Sequence, residues 1–184
     1  MKVVILFFIL FISSFIAQAQ SYYTTSEDGR AKFEAIIETK GEKDKLFLKG
    51  KEWIYKTYKS GDAVINVDDK EQGRIFGKGK GKDLFIREFG QKNDFGHFKY
   101  NITIDFKDNK ARIIIDEITQ HAGGLLGMKD GADYSESFPS TWLKVAMKAN
   151  QKRWDTIKAD AASEFNGIIE SFKMEIAKEN KSDW

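Results

Sequence analysis

The sequence contains no cysteine. That absence excludes disulfide stapling, and it excludes the lipidated N-terminus that needs a cysteine at its cleavage point. Proline is almost missing as well. Pro139 stands alone, and no proline-, glycine- or serine-rich linker divides the chain. Histidine is scarce, with only His97 and His121. Asp94 and Asp105 are near His97 in sequence, but neither histidine belongs to a close His/Asp/Glu motif. A zinc site needs three or four convergent ligands, so both histidines read as structural or surface residues. An excess of one charge is lacking too. Lys and Arg number 30 and Asp and Glu 28, interspersed, for a net charge of +2. Without a basic stripe the chain has no electrostatic footprint for DNA or RNA, and no nucleic acid is expected as a partner.

What is present begins with one apolar run. Lys2 is followed by Val3 to Ile16, apolar except for Ser13 and Ser14. Ala17-Gln18-Ala19 then gives the small-x-small pattern that a signal peptidase accepts. The run is shorter than the roughly 20 apolar residues that span a bilayer. Residues 1–19 therefore read as a signal peptide, with Gln20 as the new N-terminus. The expectation is an exported protein, periplasmic or secreted, with no stable membrane anchor after cleavage. Without cross-links, the remainder must be held by a hydrophobic core, and it is long enough to bury one. Residues 20–31 read as a flexible lead, and 32–184 as a single domain that includes the C-terminal helices.

Hydrophobic spacing gives the elements. Lys32 to Thr39 reads as a strand with Phe33, Ala35 and Ile37 on one face. Leu46, Phe47, Gly50, Trp53, Ile54, Thr57 and Tyr58 fall on one helical stripe, which Ser60-Gly61-Asp62 ends. Short strands follow over Ala63 to Asp68, Arg74 to Lys82 and Asp83 to Glu88, with Phe89 to Gly96 as a loop. Phe98, Tyr100, Ile102, Ile104 and Phe106 alternate strictly with polar residues, so one face of that strand is buried. Lys107 to Lys110 is a tight turn, and Ala111 to Ile118 returns. Thr119 to Phe138 reads as an irregular loop. Trp142 to Asn150 and Trp154 to Lys178 read as helix, with a break near Asn150. The order β-α-β-β-(β)-β-β-α is that of an α+β two-layer sandwich, an antiparallel sheet with helices on one face.

Three segments carry a family resemblance. They are Leu46-x-x-Lys49-x-x-Glu52-Trp53, then Gly73-Arg74-Ile75-Phe76-Gly77-Lys78-Gly79, then the hairpin from Tyr100-x-Ile102-x-Ile104-x-Phe106 through Lys107-Asp108-Asn109-Lys110-x-Arg112. In order and spacing the chain resembles, over Lys32 to Ile118, a family of secreted bacterial proteins. Those proteins carry a domain of unknown function described as having a TATA-binding-protein-like fold. The resemblance implies a curved antiparallel sheet, a helix after the first strand and a closing helix. It supplies no catalytic residues, and the fold name implies no DNA binding.

Candidate chemistry is thin. Gly77-Lys78-Gly79-Lys80-Gly81-Lys82 lacks the Ser or Thr of a phosphate-binding loop and sits among strand-like neighbours, so it reads as a glycine-interrupted strand. Asp68-Asp69-Lys70-Glu71 lacks calcium-loop spacing and reads as a solvated turn. Ser135, Ser137 and Ser140 lack a nucleophile elbow and read as turn and cap residues. One segment is unusual for a loop: Gly123, Gly124, Leu125, Leu126, Gly127 and Met128 place three apolar side chains among flexible glycines. It reads either as a satellite of the core or as a mobile contact with a partner. No cofactor is implied. The sequence points to an exported, non-catalytic binding or interaction module of the cell envelope, for an envelope protein or a small ligand. The contact surface is either the solvent face of the sheet or the 123–128 loop. The alternative is a hydrolase-like envelope enzyme with a site assembled from scattered residues. A deep pocket of convergent titratable groups would favour the enzyme.

Overall fold

The computed structural model describes residues 21–58, 61–121, 130–137 and 147–178. Residues 1–19, the Gly123 to Met128 segment, Pro139, Ser140 and Trp142 lie outside the described residues. Two strands are central. β7 (His97–Lys107) buries Phe98, Tyr100, Ile102, Ile104 and Phe106, each at 2% exposure or less. β8 (Lys110–His121) runs back beside it. β2 (Ala31–Glu38) pairs with β8 on one side, burying Ala31, Phe33, Ala35 and Ile37. β4 (Arg74–Lys80) pairs with β7 on the other, and β3 (Ile65–Asp69) pairs with β4. With β1 (Tyr23–Thr25) at the edge, the order is β1-β2-β8-β7-β4-β3, and every pairing is antiparallel.

Two long helices cover one face. α1 (Lys43–Thr57) buries Leu46, Phe47, Gly50, Trp53 and Ile54 as a single stripe. A Cβ on Gly50 would stand 2.2 Å from Phe106 Cζ, so glycine is what lets α1 lie this close to β7. α3 (Met147–Ala177) buries Trp154, Ile157, Ala161, Phe165, Ile169, Phe172 and Ile176. Phe165 meets Phe33 and Tyr100, and Phe172 meets Trp53 and Phe106, which joins both helices to the sheet. The result is the two-layer α+β arrangement that the alternation indicates.

Several local readings need correction. The lead is not loose: β1 pairs with β2, Tyr22 is buried, and its N–H donates to Asn166 Oδ1 at 3.0 Å. Gly61–Val64 forms a single helical turn, α2, before β3 starts, despite the β-branched content there. The expected loop after Glu88 contains a strand. β5 (Phe85–Glu88) and β6 (Gln91–Asp94) form a separate two-stranded hairpin, closed by Phe89 and Gly90. β8 runs on to His121 because a bulge resets its phase. Asn101 faces Asp116 but Lys99 faces Thr119, so β8 carries one extra residue, with Glu117 at φ 48°. The buried positions then pass from Ile115 to Ile118 and Gln120, which interrupts the period-two signal. β9 (Ala132–Asp133) pairs with the end of β8. Finally, α3 passes through Asn150 without a break, since the Asn150 carboxamide is buried and accepts a hydrogen bond from Arg153 at 2.9 Å.

Candidate functional site

A cleft of about 1160 Å³ opens where the end of α1, the segment from β4 to β5, and the middle of α3 meet. Its geometry follows from glycines. A Cβ on Gly79 would stand 2.3 Å from the Tyr100 ring, so only glycine there lets the tyrosine lie flat across β4. The Tyr58 and Tyr100 hydroxyls are 3.1 Å apart. Burial pushes the Tyr58 hydroxyl up to about 12, and the Glu164 charge adds to this. Tyr100 is raised further, by burial first and then by Tyr58 and Glu164. Both Glu164 oxygens accept the Lys82 N–H at 3.1 Å, which fixes the carboxylate at the cleft wall. Ser171 accepts a hydrogen bond from Trp53 Nε1 at 3.1 Å. Thr57, Asp160 and Ser163 also line the cleft. At Gly167 an added Cβ would meet nothing within 4 Å, so the space in front of the helix is open.

On the solvent face of the sheet, a group of charges around Asp105 is paired internally, beside the exposed Ile36. Asp105 accepts hydrogen bonds from Arg74 at 2.6 Å and from Arg112 at 2.5 Å. Burial works to raise the Asp105 carboxyl, and the two guanidinium groups outweigh it and hold it low. Arg112 also approaches Glu34 at 3.8 Å, and Glu34 pairs with Lys32 at 2.7 Å. The histidines lie at one end of the sheet. His97 and His121 are cross-strand partners with ring centroids 6.4 Å apart. Their acidic neighbours are Asp83, at 4.0 Å from His97, and Asp130, at 3.6 Å from His121. Asp94 instead accepts the Gly96 N–H. Burial, reinforced by Lys80, lowers the His97 pKa. Thr119 Oγ1 lies 2.9 Å from His121 Nε2. Among the described residues no three His, Asp or Glu side chains are grouped to hold a metal.

The other sequence candidates sit in turns and strands. Asp68 pairs with Lys51, and Asp69 accepts the Gln72 N–H within the β3–β4 turn. Ser135 accepts the Ala31 N–H at 2.5 Å, tying the segment after β9 to β2. The Gly77 to Lys82 glycines serve the strand and the cleft, with no helix opening from them.

A family model for a domain of unknown function with TBP-like fold, DUF4468, matches residues 33–120. Over residues 33–120 the chain is similar to the DUF4468 family. A crystal structure of a DUF4468 family protein from Bacteroides ovatus superposes with a TM-score of 0.61 at 14% identity, covering 88% of this chain and 96% of that one. A TBP-like protein from Parabacteroides distasonis gives 0.52 at 17% identity, covering 77% and 92%. At these identities the likeness is one of fold. No curated protein sequence matches the chain. The DUF4468 match ends at Gln120, so one wall of the cleft, α3, lies outside it. Sequence reasoning missed the cleft because its parts are far apart in the chain. One signal was present: Asp160, Ser163, Glu164, Gly167 and Ser171 follow helical spacing as a small, polar stripe beside the apolar one.

Proposed function

We propose that the protein is an exported, non-catalytic binding module of the cell envelope, and that the cleft beside the sheet takes a small ligand. The observation that carries the reading is the lining of the cleft: the Tyr58 and Tyr100 hydroxyls stand 3.1 Å apart, and the Lys82 N–H holds the Glu164 carboxylate at the wall. Thr57, Asp160 and Ser163 add polar groups around an open space lined partly by Leu84, Phe85 and Ile168. The outer sheet face offers less around Asp105, where Arg74 and Arg112, and beside them Lys32 and Glu34, already satisfy each other. The 123–128 loop remains a second contact in this proposal, for an envelope protein. Changing Leu125 and Leu126 to serine should then leave stability intact and weaken that contact. Export is tested by N-terminal sequencing, which should find Gln20 first.

The enzyme alternative has two observations in its favour: the titratable Tyr58, Tyr100, Asp160 and Glu164 converge on the cleft, and a second group lies at one end of the sheet. Thr119, His121 and Asp130 line up as hydroxyl, imidazole and carboxylate. Against this second group, the Asp130 side chain is 75% exposed. None of Thr119, His121 and Asp130 lines the cleft. The experiment that separates the readings is a panel of chromogenic esters and amides, run with the chain from Gln20 and with Thr119→Val. No turnover above background is expected from either. Turnover that disappears in Thr119→Val would overturn the binding-module reading. Amide exchange measured with a small-molecule envelope extract should slow at Gly81 to Leu84 and Ser163 to Ser171. Slowing confined to other segments would move the ligand away from the cleft.

A further inference from the structure

The β5–β6 hairpin breaks two local rules at once. Its turn consists of Phe89 at φ 50° and Gly90 at φ 77°, a two-residue turn in which both residues are left-handed. Such turns favour Asn-Gly or Asp-Gly, and a bulky side chain is strained there. The Phe89 side chain gains nothing in return from this chain, since it is fully exposed, at 101%. Behind it, Arg87 stands directly opposite Lys92, a like-charge pair that weakens a two-stranded ribbon. Lys92 Nζ lies 3.5 Å from the centroid of the Phe85 ring, and Phe85 is itself 40% exposed. The hairpin is nevertheless held beside its turn, at Glu88, and beyond its far end, at Phe95. Arg153 grips Glu88 through both carboxylate oxygens at 2.6 to 3.0 Å, and Gln120 donates to the Phe95 carbonyl at 2.7 Å. Glu88 is thus occupied by Arg153, and the cations near the tip have no acidic partner across the strand. A tip that is apolar at its apex and cationic behind it is unfavourable in water. It becomes favourable where an apolar phase lies beneath a layer of negative charge.

We propose that this hairpin tip is a reversible contact for an anionic phospholipid surface, with Phe89 entering the headgroup–acyl boundary and Arg87 and Lys92 meeting lipid phosphates. Aromatic rings favour that depth, and lysine and arginine favour anionic lipid. A stable protein interface covers about 800 Å² per partner, far more than one aromatic side chain and two cations supply, which favours lipid over a protein. This contact is independent of the cleft.

The test uses the chain from Gln20, which retains the whole core from Tyr22 to Ile176. It is co-sedimented with phosphatidylcholine vesicles, with and without phosphatidylglycerol, at low and physiological salt. Two variants keep the turn and improve it locally: Phe89→Asn restores a favoured Asn-Gly turn, and Lys92→Glu gives Arg87 an opposite charge. The wild type is expected to bind the phosphatidylglycerol vesicles, less so at higher salt. Each variant should bind about tenfold more weakly or worse, while its unfolding midpoint holds or rises. Absence of binding to anionic vesicles overturns the proposal. Equal binding to pure phosphatidylcholine vesicles, or variants that bind like the wild type, also overturns it. Vesicle binding that fails while Phe89 cross-links to an envelope protein assigns the tip to a protein partner instead.

Discussion

Gly50 and Gly167 both sit inside helices, where glycine is about 0.5–1 kcal/mol worse than alanine. Their surroundings reverse what a substitution should do. At Gly50 an added methyl would run into the Phe106 ring at 2.2 Å, and Phe106 is itself wedged between Phe47 and Phe172. Gly50→Ala should therefore destabilise the domain by about 1–3 kcal/mol, as overpacking does. At Gly167 the methyl enters open space, so Gly167→Ala should stabilise by about 0.4–1 kcal/mol. Urea unfolding of the two variants checks both signs. Equal shifts in one direction would mean that α1 does not approach β7 as described. Gly50 belongs to the apolar stripe in the sequence, but its close approach to Phe106 is invisible there, since a gap in a stripe does not say what fills it. Tyr100 is similar. Its place on the buried face of β7 is legible from alternation, while its role in the cleft depends on the missing side chain of Gly79, in another strand.

At the scale of elements, the turn Lys107 to Lys110 does more than reverse the chain. Glu42 at the start of α1 makes no side-chain cap, and Asp108 Oδ1 accepts the Lys43 N–H from across the fold at 2.8 Å. Asn109 Oδ1 takes the Gly41 N–H, and the Asn109 backbone exchanges hydrogen bonds with Thr39 and Gly41. The hairpin thereby fixes where α1 begins. Asp108→Ala should cost about 1 kcal/mol, the usual loss for a helix cap. It should also speed amide exchange in the first turn of α1 before exchange in β7. A change below about 0.3 kcal/mol, inside the range typical of ordinary surface sites, would show that water caps the helix equally well. Strong periodicity made β2, β7, α1 and the apolar stripe of α3 readable in advance. The elements that were missed each hide their period. The Glu117 bulge shifts the phase of β8, Phe89-Gly90 lacks the usual turn residues, and β1 is too short to alternate.

At the scale of the whole molecule, a TBP-like antiparallel sheet is closed by α3, which lies beyond the region that the DUF4468 model matches, and the cleft lies where the two meet. That is why the fold was legible from residues 32 to 118 and the site was not. It depends on bringing Tyr58, Lys82 and Glu164 together from three separate elements. If the cleft holds a ligand, as proposed, Gly167 allows it to be blocked without damage to the core. A leucine at Gly167 would fill the open space while replacing glycine with a good helix former. The direct measurement is native mass spectrometry of the chain from Gln20 and of Gly167→Leu, each after exposure to a small-molecule envelope extract, with the unfolding temperature measured in parallel. A bound mass is expected on the wild type, none on Gly167→Leu, and an unfolding temperature for the variant that is unchanged or higher. The same bound mass on both proteins, or none on the wild type, would contradict the proposal.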